Sequence, residues 1–85
     1  MMTANEMNEW GRRMYDEFHQ THERYCNLRR MLIKADAGTL DFKPKCPIGL
    51  LRDQLDIMRR YLEVLAIRAE IEGVDLDAAR TNATG

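Results

Sequence analysis

The chain has 85 residues, two cysteines and a formal net charge of −1. This length supports one small domain, and the near-neutral charge gives no overall attraction to a nucleic acid polymer, which we do not expect as a partner. No apolar run approaches the ~20 residues of a membrane span, and no secretory leader pattern opens the chain. We expect a cytoplasmic protein with reduced thiols, no membrane contact and no cofactor.

The first predicted element is a helix over about residues 12–37. Apolar side chains recur at steps of three and four between Met14 and Ala35, and this spacing places them along one face of a helix. Gly38 follows this stretch and suits the left-handed position that commonly ends a helix. The pattern therefore predicts a long amphipathic helix that stops at Gly38.

The residues before this helix are open to two interpretations. Residues 3–6 form a capping box, in which a threonine hydroxyl and a glutamate side chain satisfy backbone amides. Gly11 then interrupts the stretch, at a cost of about 1 kcal/mol relative to alanine if the helix continues through it. Residues 3–10, which include Trp10, therefore form either a separate short helix or an N-terminal extension.

A second helix is predicted over about residues 47–72, because Pro47 suits a first turn and Gly73 suits an end. Its apolar residues form one continuous seam at steps of three and four: Ile48, Leu51, Leu55, Met58, Leu62, Leu65 and Ala69. The loop between the two helices has about nine residues, a length typical of antiparallel helical hairpins. The fold class is therefore an all-α, antiparallel two-helix hairpin.

A second apolar stripe lies beside the first on the same helix, here called the outer stripe: Leu50, Ile57, Tyr61, Val64 and Ile71. One partner helix covers one stripe, and a chain with two long helices has no third helix to offer. We therefore expect an obligate homo-oligomer in which the outer stripe forms the interface between chains.

The hairpin is expected to form a single domain over residues 1–80, with at most a loose turn over residues 75–80 and a disordered tail over residues 81–85. With the turn at the middle of the loop, the numbers of facing residues sum to about 83. In this register Trp10 lies beyond the end of the second helix and has no partner in the hairpin. Trp10 must then fold back or contact a neighbouring chain.

Charge is unevenly distributed. Residues 1–23 and residues 53–85 each carry a net charge of −3, whereas residues 24–52 carry +5. The cations of interest lie where the first helix ends and the second begins: Arg30, Lys34, Lys43, Lys45 and Arg52. Cations at a helix C-terminus simply complement its dipole, but a helix N-terminus prefers anions, so the last three need another explanation. With the free backbone amides at the start of the second helix they predict a site for phosphate or carboxylate.

Metal binding and catalysis find less support. His19, His22 and Cys26 share one helical face and are possible zinc ligands. A fourth ligand is missing, because the register places Cys46 about 15 Å from Cys26. The pair of Cys26 and His22 has no orienting group or oxyanion donor beside it. We expect no metal site and no enzymatic activity, and a partly solvated polar face is the simpler interpretation.

The second helix also carries a distinctive set of residues: Leu50, Leu51, Gln54, Met58, Tyr61, Leu65 and Arg68. In the first helix the corresponding residues are Glu23, Arg24, Tyr25, Leu28 and Leu32. Over about residues 15–74 the chain resembles small phage and prophage hairpin proteins with the pattern L-L-x-x-Q-x-x-x-M-x-x-Y-x-x-x-L-x-x-R.

In size and layout that group is similar to the phage hairpin sponges that counter cyclic-nucleotide immunity, the anti-CBASS and anti-Thoeris proteins. The resemblance implies an oligomer that buries anionic signalling nucleotides at the junctions between subunits. The sponges' own binding residues do not match this chain one by one, so none is transferred.

The leading hypothesis is therefore a non-enzymatic phage counter-defence protein that sequesters a cyclic nucleotide or another small phosphorylated signal. The five cations would supply charge in a pocket shared between chains, with Tyr25 or Trp10 as stacking surfaces. One alternative is a protein-binding inhibitor or adaptor that acts on a host complex through its helical surface. Another is a structural oligomer without a ligand.

Overall fold

A computed structural model describes residues 8–78 as an antiparallel hairpin of two helices. Helix α1 spans Glu9–Ala37, helix α2 spans Ile48–Glu72, and residues 38–47 connect them. The 29 residues of α1 rise about 1.5 Å each, which accounts for the 45 Å long axis of the molecule. The predicted all-α hairpin is confirmed.

Helix α1 begins before Gly11, not after it. The side chain of Asn8 accepts a hydrogen bond from the Gly11 N–H at 2.8 Å, and Glu9 places a negative charge in the first turn, where the helix dipole favours it. Because its amide is satisfied by this cap, Gly11 continues the helix without a break. Trp10 therefore belongs to an extension of the long helix and not to a separate one.

Both helices end at the predicted glycines. Gly38 (φ 77°) and Gly73 (φ 74°) adopt the left-handed backbone conformation, which costs residues with a Cβ atom more than it costs glycine. After Gly73, the Val74 N–H donates to the Ala69 carbonyl at 2.9 Å and the Val74 side chain is buried, as in a Schellman motif. Helix α2 starts one residue later than predicted, with Pro47 at the capping position.

The core is concentrated at the end of the hairpin opposite the connecting loop. Met14 and Tyr15 of α1 form a buried cluster with Ala69 and Val74. Further buried apolar residues continue the seams: Leu32, Leu62 and Leu65. The two predicted seams are therefore the inner faces of the hairpin, and burying them stabilises the helix pair by roughly 25 cal/mol per Å² of apolar area.

The residues after α2 fold back onto α1. The Tyr15 hydroxyl donates to the Ala78 carbonyl, and Nε2 of His19 donates to the Leu76 carbonyl at 2.7 Å. Tyr15 is buried and its hydroxyl needs a partner. Residues 73–78, here called the C-terminal strap, are thus fixed to α1, whereas the sequence predicted only a loose turn.

All five residues of the outer stripe are exposed in the isolated chain, from Val64 at 39% to Ile71 at 78%. At about 100° per residue, the stripe lies roughly 120° around α2 from the inner seam. Ile67, which is 59% exposed, widens this apolar face. A face of this kind is typical of interaction surfaces, and assembly through it stays a prediction.

The capping box over residues 3–6 and the tail over residues 81–85 lie outside the described residues. The expected domain bounds therefore also stay a prediction.

Candidate functional site

A cavity of about 300 Å³ opens between the C-terminal part of α1 and the connecting loop, and is called the loop cavity. Its walls come from one short stretch of chain: Asn27, Arg30, Met31, Lys34, Thr39, Leu40, Asp41 and Phe42. Steps of three and four place the α1 residues on one face, and the turn at Gly38 brings the loop residues opposite them. The loop cavity is therefore built by local sequence.

Arg30 and Lys34 give the loop cavity its positive charge. The guanidinium of Arg30 donates to the Asn27 side chain at 3.4 Å, which holds it at the cavity wall. Asp41 adds an opposing carboxylate, and Phe42 contributes an aromatic ring that is 56% exposed. The lining suits a ligand that combines a strongly anionic group with an apolar or aromatic part.

Arg52 is engaged outside this cavity. Its guanidinium forms a bidentate ion pair with Asp36, with an Nη1–Oδ2 distance of 3.2 Å for one of the two hydrogen bonds. The hydrogen bond from Arg52 lowers the pKa of the Asp36 carboxyl below its ordinary 3.8, and the same bond raises the pKa of Arg52. This exposed pair joins the end of α1 to the start of α2, so Arg52 acts there as a link between helices.

The remaining loop-end candidates are more dispersed than the sequence predicted. Lys43 and Lys45 are exposed in the connecting loop, and Tyr25 is half-buried on α1. None of the three is among the residues that line the loop cavity. The Leu50 N–H donates to the Pro47 carbonyl at 3.1 Å. This amide was expected to be free for an anion, and it is not. Of the predicted cluster, the structure brings Arg30 and Lys34 together.

A second cavity, of about 330 Å³, opens at the opposite end of the hairpin and is called the indole cavity. It is lined by Trp10, Arg13, Met14, Glu17, Tyr61, Leu65 and Arg68. Two sets of three residues follow steps of four and then three along the chain: Trp10, Met14 and Glu17 on α1, and Tyr61, Leu65 and Arg68 on α2. That periodicity could have identified the cavity, but the sequence reasoning assigned Tyr61 to the outer stripe alone and missed Arg13, Glu17 and Arg68.

Trp10 has a partner within the chain, which corrects the expectation that it has none. The guanidinium carbon of Arg68 lies 5.6 Å from the centre of the Trp10 ring, a cation–π geometry. The register counted backbone positions and took no account of the length of the Arg68 side chain, which extends toward α1. The indole remains 44% exposed, so part of the ring faces solvent.

The polar groups of the indole cavity act on one another. Burial raises the pKa of the Tyr61 hydroxyl, the Glu17 carboxylate raises it further through charge and a hydrogen bond, and Arg68 acts in the opposite direction. Tyr61 therefore stays protonated and can donate at neutral pH. Glu17 also accepts a hydrogen bond from the Thr21 hydroxyl at 3.3 Å.

The two cavities are too far apart to share a small ligand within one chain. Trp10 precedes Arg30 by twenty residues on α1, a separation of about 30 Å at 1.5 Å per residue. The candidate ligand residues therefore divide into a loop-end group and Trp10 at the other end.

The possible metal ligands on α1 do not converge. His19 is bound to the C-terminal strap, whereas the His22 ring stacks on Phe18 with 5.9 Å between ring centres. Cys26 Sγ lies 3.7 Å from Nε2 of His22. Among the residues that the structure describes, no group of three or more His, Cys, Asp or Glu side chains is arranged to hold a metal ion.

The fold, with the loop cavity and the indole cavity, defines a small helical-hairpin protein with surfaces suited to binding. The chain belongs to the Sequestin family, whose model matches residues 8–71. The match spans all of α1 and nearly all of α2. The family name indicates sequestration, which favours a binding role over a catalytic one and agrees with the resemblance to hairpin sponges.

No curated protein and no solved structure matches the chain. Within residues 8–78, neither helix combines sufficient length with sufficient hydropathy to cross a membrane.

Proposed function

We propose that this protein is a non-enzymatic sponge that sequesters a small anionic signal of the cyclic-nucleotide type during phage counter-defence. Membership in the Sequestin family supports sequestration, and the sequence resemblance supports the ligand type and the phage setting. A sponge acts by holding its ligand without converting it, so it needs a binding surface and no catalytic group. Its site of action would be the host bacterial cytoplasm.

The loop cavity is the observation that carries this proposal. Arg30 and Lys34 line one space together with the exposed ring of Phe42. Its volume lies at the lower end of the ligand-pocket range, roughly 300 to 1,000 Å³. A phosphate would accept charge-assisted hydrogen bonds from both cations while a ring lies against Phe42. Lys43 and Lys45 add positive potential at the same end.

The other predicted site residues take supporting roles in this proposal. Arg52 fixes the two helices at the loop end through Asp36. Tyr25 and Trp10 are stacking surfaces for parts of a ligand outside the loop cavity, with Trp10 in reach only of a ligand at the other end or on another chain.

We also propose that chains assemble through the outer stripe, which would cover its exposed apolar side chains. The double substitution Val64→Glu and Ile71→Glu places charges in that interface, so light scattering is expected to give a smaller mass. Ile33→Glu is the control, because Ile33 is 50% exposed on α1, outside the stripe. An unchanged mass in the double variant would refute this interface.

The alternative is a protein-binding inhibitor or adaptor that acts on a host complex. The exposure of Ile57 and Ile71 favours it, because an apolar helix face is a common surface for docking into a groove. This alternative predicts a stable complex with a host protein and no response to small phosphorylated ligands.

Thermal melting tests the sponge proposal against a panel of cyclic dinucleotides, cyclic trinucleotides and ADP-ribose derivatives. A ligand at 100 times its dissociation constant adds about 2.7 kcal/mol to the free energy of unfolding, which raises Tm by many degrees in a chain this small. A flat panel would contradict the sponge and favour the protein-binding alternative.

Paired variants locate the site. The double variant Arg30→Ala and Lys34→Ala is expected to lose most of the shift in Tm. The matched control, Arg24→Ala with Arg29→Ala, removes the same charge from exposed positions of α1 outside the loop cavity. An equal loss in both double variants would show that net charge matters and the loop cavity does not.

A further inference from the structure

The indole cavity offers chemistry that the loop cavity lacks. It presents two aromatic rings, those of Trp10 and Tyr61, next to the carboxylate of Glu17 and the guanidinium of Arg68. A simple anion would be attracted by Arg68 but repelled by Glu17. The cavity therefore suits a ligand that offers a planar face, an anionic group and hydrogen-bond donors together.

The cations at this cavity are held by weak pairs. Arg68 Nε lies 3.6 Å from a Glu72 carboxylate oxygen, and Arg13 Nη2 lies 3.5 Å from Glu9, with these side chains 33–84% exposed. Exposed pairs of this kind contribute little to stability. A ligand phosphate can therefore replace either carboxylate at small cost. Arg68 also stands over the Trp10 ring, so a phosphate bound to it would lie next to the stacking surface.

Glu17 determines which ring fits. A carboxylate has about four acceptor positions, and the hydroxyl of Thr21 occupies one of them. The remaining positions accept N–H donors. A ring with an amino group would donate a hydrogen bond to one of these positions. A ring without an amino group would displace water from Glu17 and leave that position of the carboxylate without a hydrogen bond.

We propose that the indole cavity binds an aminopurine nucleotide unit, with Trp10 as the stacking surface, Arg68 as the phosphate contact and Glu17 as the acceptor for the amino group. This inference rests on the proposed function and adds base recognition at the end opposite the loop cavity. The volume of about 330 Å³ suits one nucleotide unit.

Trp10 reports directly on this cavity, because it is the chain's one tryptophan. Its fluorescence is titrated with adenosine 5′-monophosphate and with purine riboside 5′-monophosphate, which lacks the amino group. We expect saturable quenching by both, with the adenosine nucleotide binding about tenfold more tightly, the effect of one hydrogen bond to a charged group.

Two variants with matched controls test the assigned roles. Glu17→Ala is expected to bind both nucleotides equally, whereas Glu23→Ala, at an exposed position of α1 outside the cavity, keeps the tenfold difference. Arg68→Ala is expected to weaken both nucleotides about tenfold, whereas Arg59→Ala leaves them unchanged. All four positions are exposed, and circular dichroism checks that the helices are intact.

Several results would overturn the inference. Equal affinity of the two nucleotides for the unsubstituted protein removes the role of Glu17, and absence of quenching removes the subsite. If quenching is absent but the melting panel gives a shift that depends on Arg30 and Lys34, the sponge proposal stands with the loop cavity as its site. If quenching is absent and the panel is also flat, both proposals fail.

Discussion

The two ends of the hairpin are built in different ways. At the loop end, the cavity walls come from neighbouring residues of one chain segment, and an exposed ion pair of Arg52 and Asp36 joins the two helices. At the opposite end, the contacts join distant parts of the chain, such as Tyr15 with Ala78, 63 positions away. Charge therefore dominates one end and packing the other.

This difference has a consequence for function. Substitutions of Arg30, Lys34 or Asp41 can change anion binding with little effect on the fold, because these side chains are exposed. Substitutions at the packed end affect the indole cavity and the stability of the hairpin together, because Met14 and Leu65 belong to both the buried core and the cavity wall.

The largest expected effect is at the packed end. Leu65 is 3% exposed, so Leu65→Ala should lower the free energy of unfolding by about 2–5 kcal/mol. Ile33→Ala, at a position that is 50% exposed, should change it by less than about 0.5 kcal/mol. Urea unfolding at one fixed protein concentration measures both, and similar losses would contradict the contrast between buried and exposed positions.

Next in size is the loss of the hydroxyl that fixes the C-terminal strap. Tyr15→Phe removes the hydrogen bond to Ala78 and should cost about 0.5–1.5 kcal/mol. Hydrogen exchange should become faster at the amide of Ala78, which donates to the Asp75 carbonyl at 3.2 Å. Tyr25→Phe is the control. If exchange in the strap is unchanged in Tyr15→Phe, the strap does not depend on this hydroxyl.

A smaller effect is expected at the loop cavity. Asp41 is the carboxylate that opposes a bound anion there, so Asp41→Asn should tighten binding of the ligand found by melting about fivefold, the equivalent of about 1 kcal/mol for charges in water. Asp53→Asn removes an exposed carboxylate from α2 outside the cavity. Calorimetry compares the two, and weaker binding in Asp41→Asn would mean that the carboxylate contacts the ligand favourably.

The smallest effect concerns pH. The pKa of Asp36 is lowered in the folded chain, so its pair with Arg52 stabilises the fold above the unfolded-state pKa of about 3.9. That contribution is lost as pH falls through the lower folded-state pKa. In Asp36→Asn, the decline in stability below about pH 4 should be shallower than in Asp53→Asn. Identical pH profiles would show that the exposed pair contributes nothing measurable.

Sequence reasoning was most successful where the signal is local. The seams of α1 and α2 follow from the spacing of apolar residues, and the ends at Gly38 and Gly73 follow from the conformational freedom of glycine. The start of α1 could also be predicted, because Asn8 followed by Glu9 is a typical cap with an acidic first turn. The prediction instead used the capping box at residues 3–6 as a helix start.

The features that the sequence did not reveal depend on contacts across the fold. The attachment of the C-terminal strap requires Tyr15 and His19 to meet carbonyls 63 and 57 positions away, and no local pattern encodes such a meeting. The contact of Trp10 with Arg68 depends on side-chain length as well as register. Of the residues predicted for a site, Arg30 and Lys34 line one cavity, and their role stays a prediction. The sequence did not predict the indole cavity.

The proposed sponge holds its ligand without converting it. The most direct test is to mix the protein with the panel of cyclic nucleotides and ADP-ribose derivatives, remove unbound ligand by gel filtration, denature the protein by heat, and identify what is released by mass spectrometry. We expect release of one panel compound, chemically unchanged, in a fixed ratio to the protein chain. Release of a converted product, or retention of no compound, would contradict it.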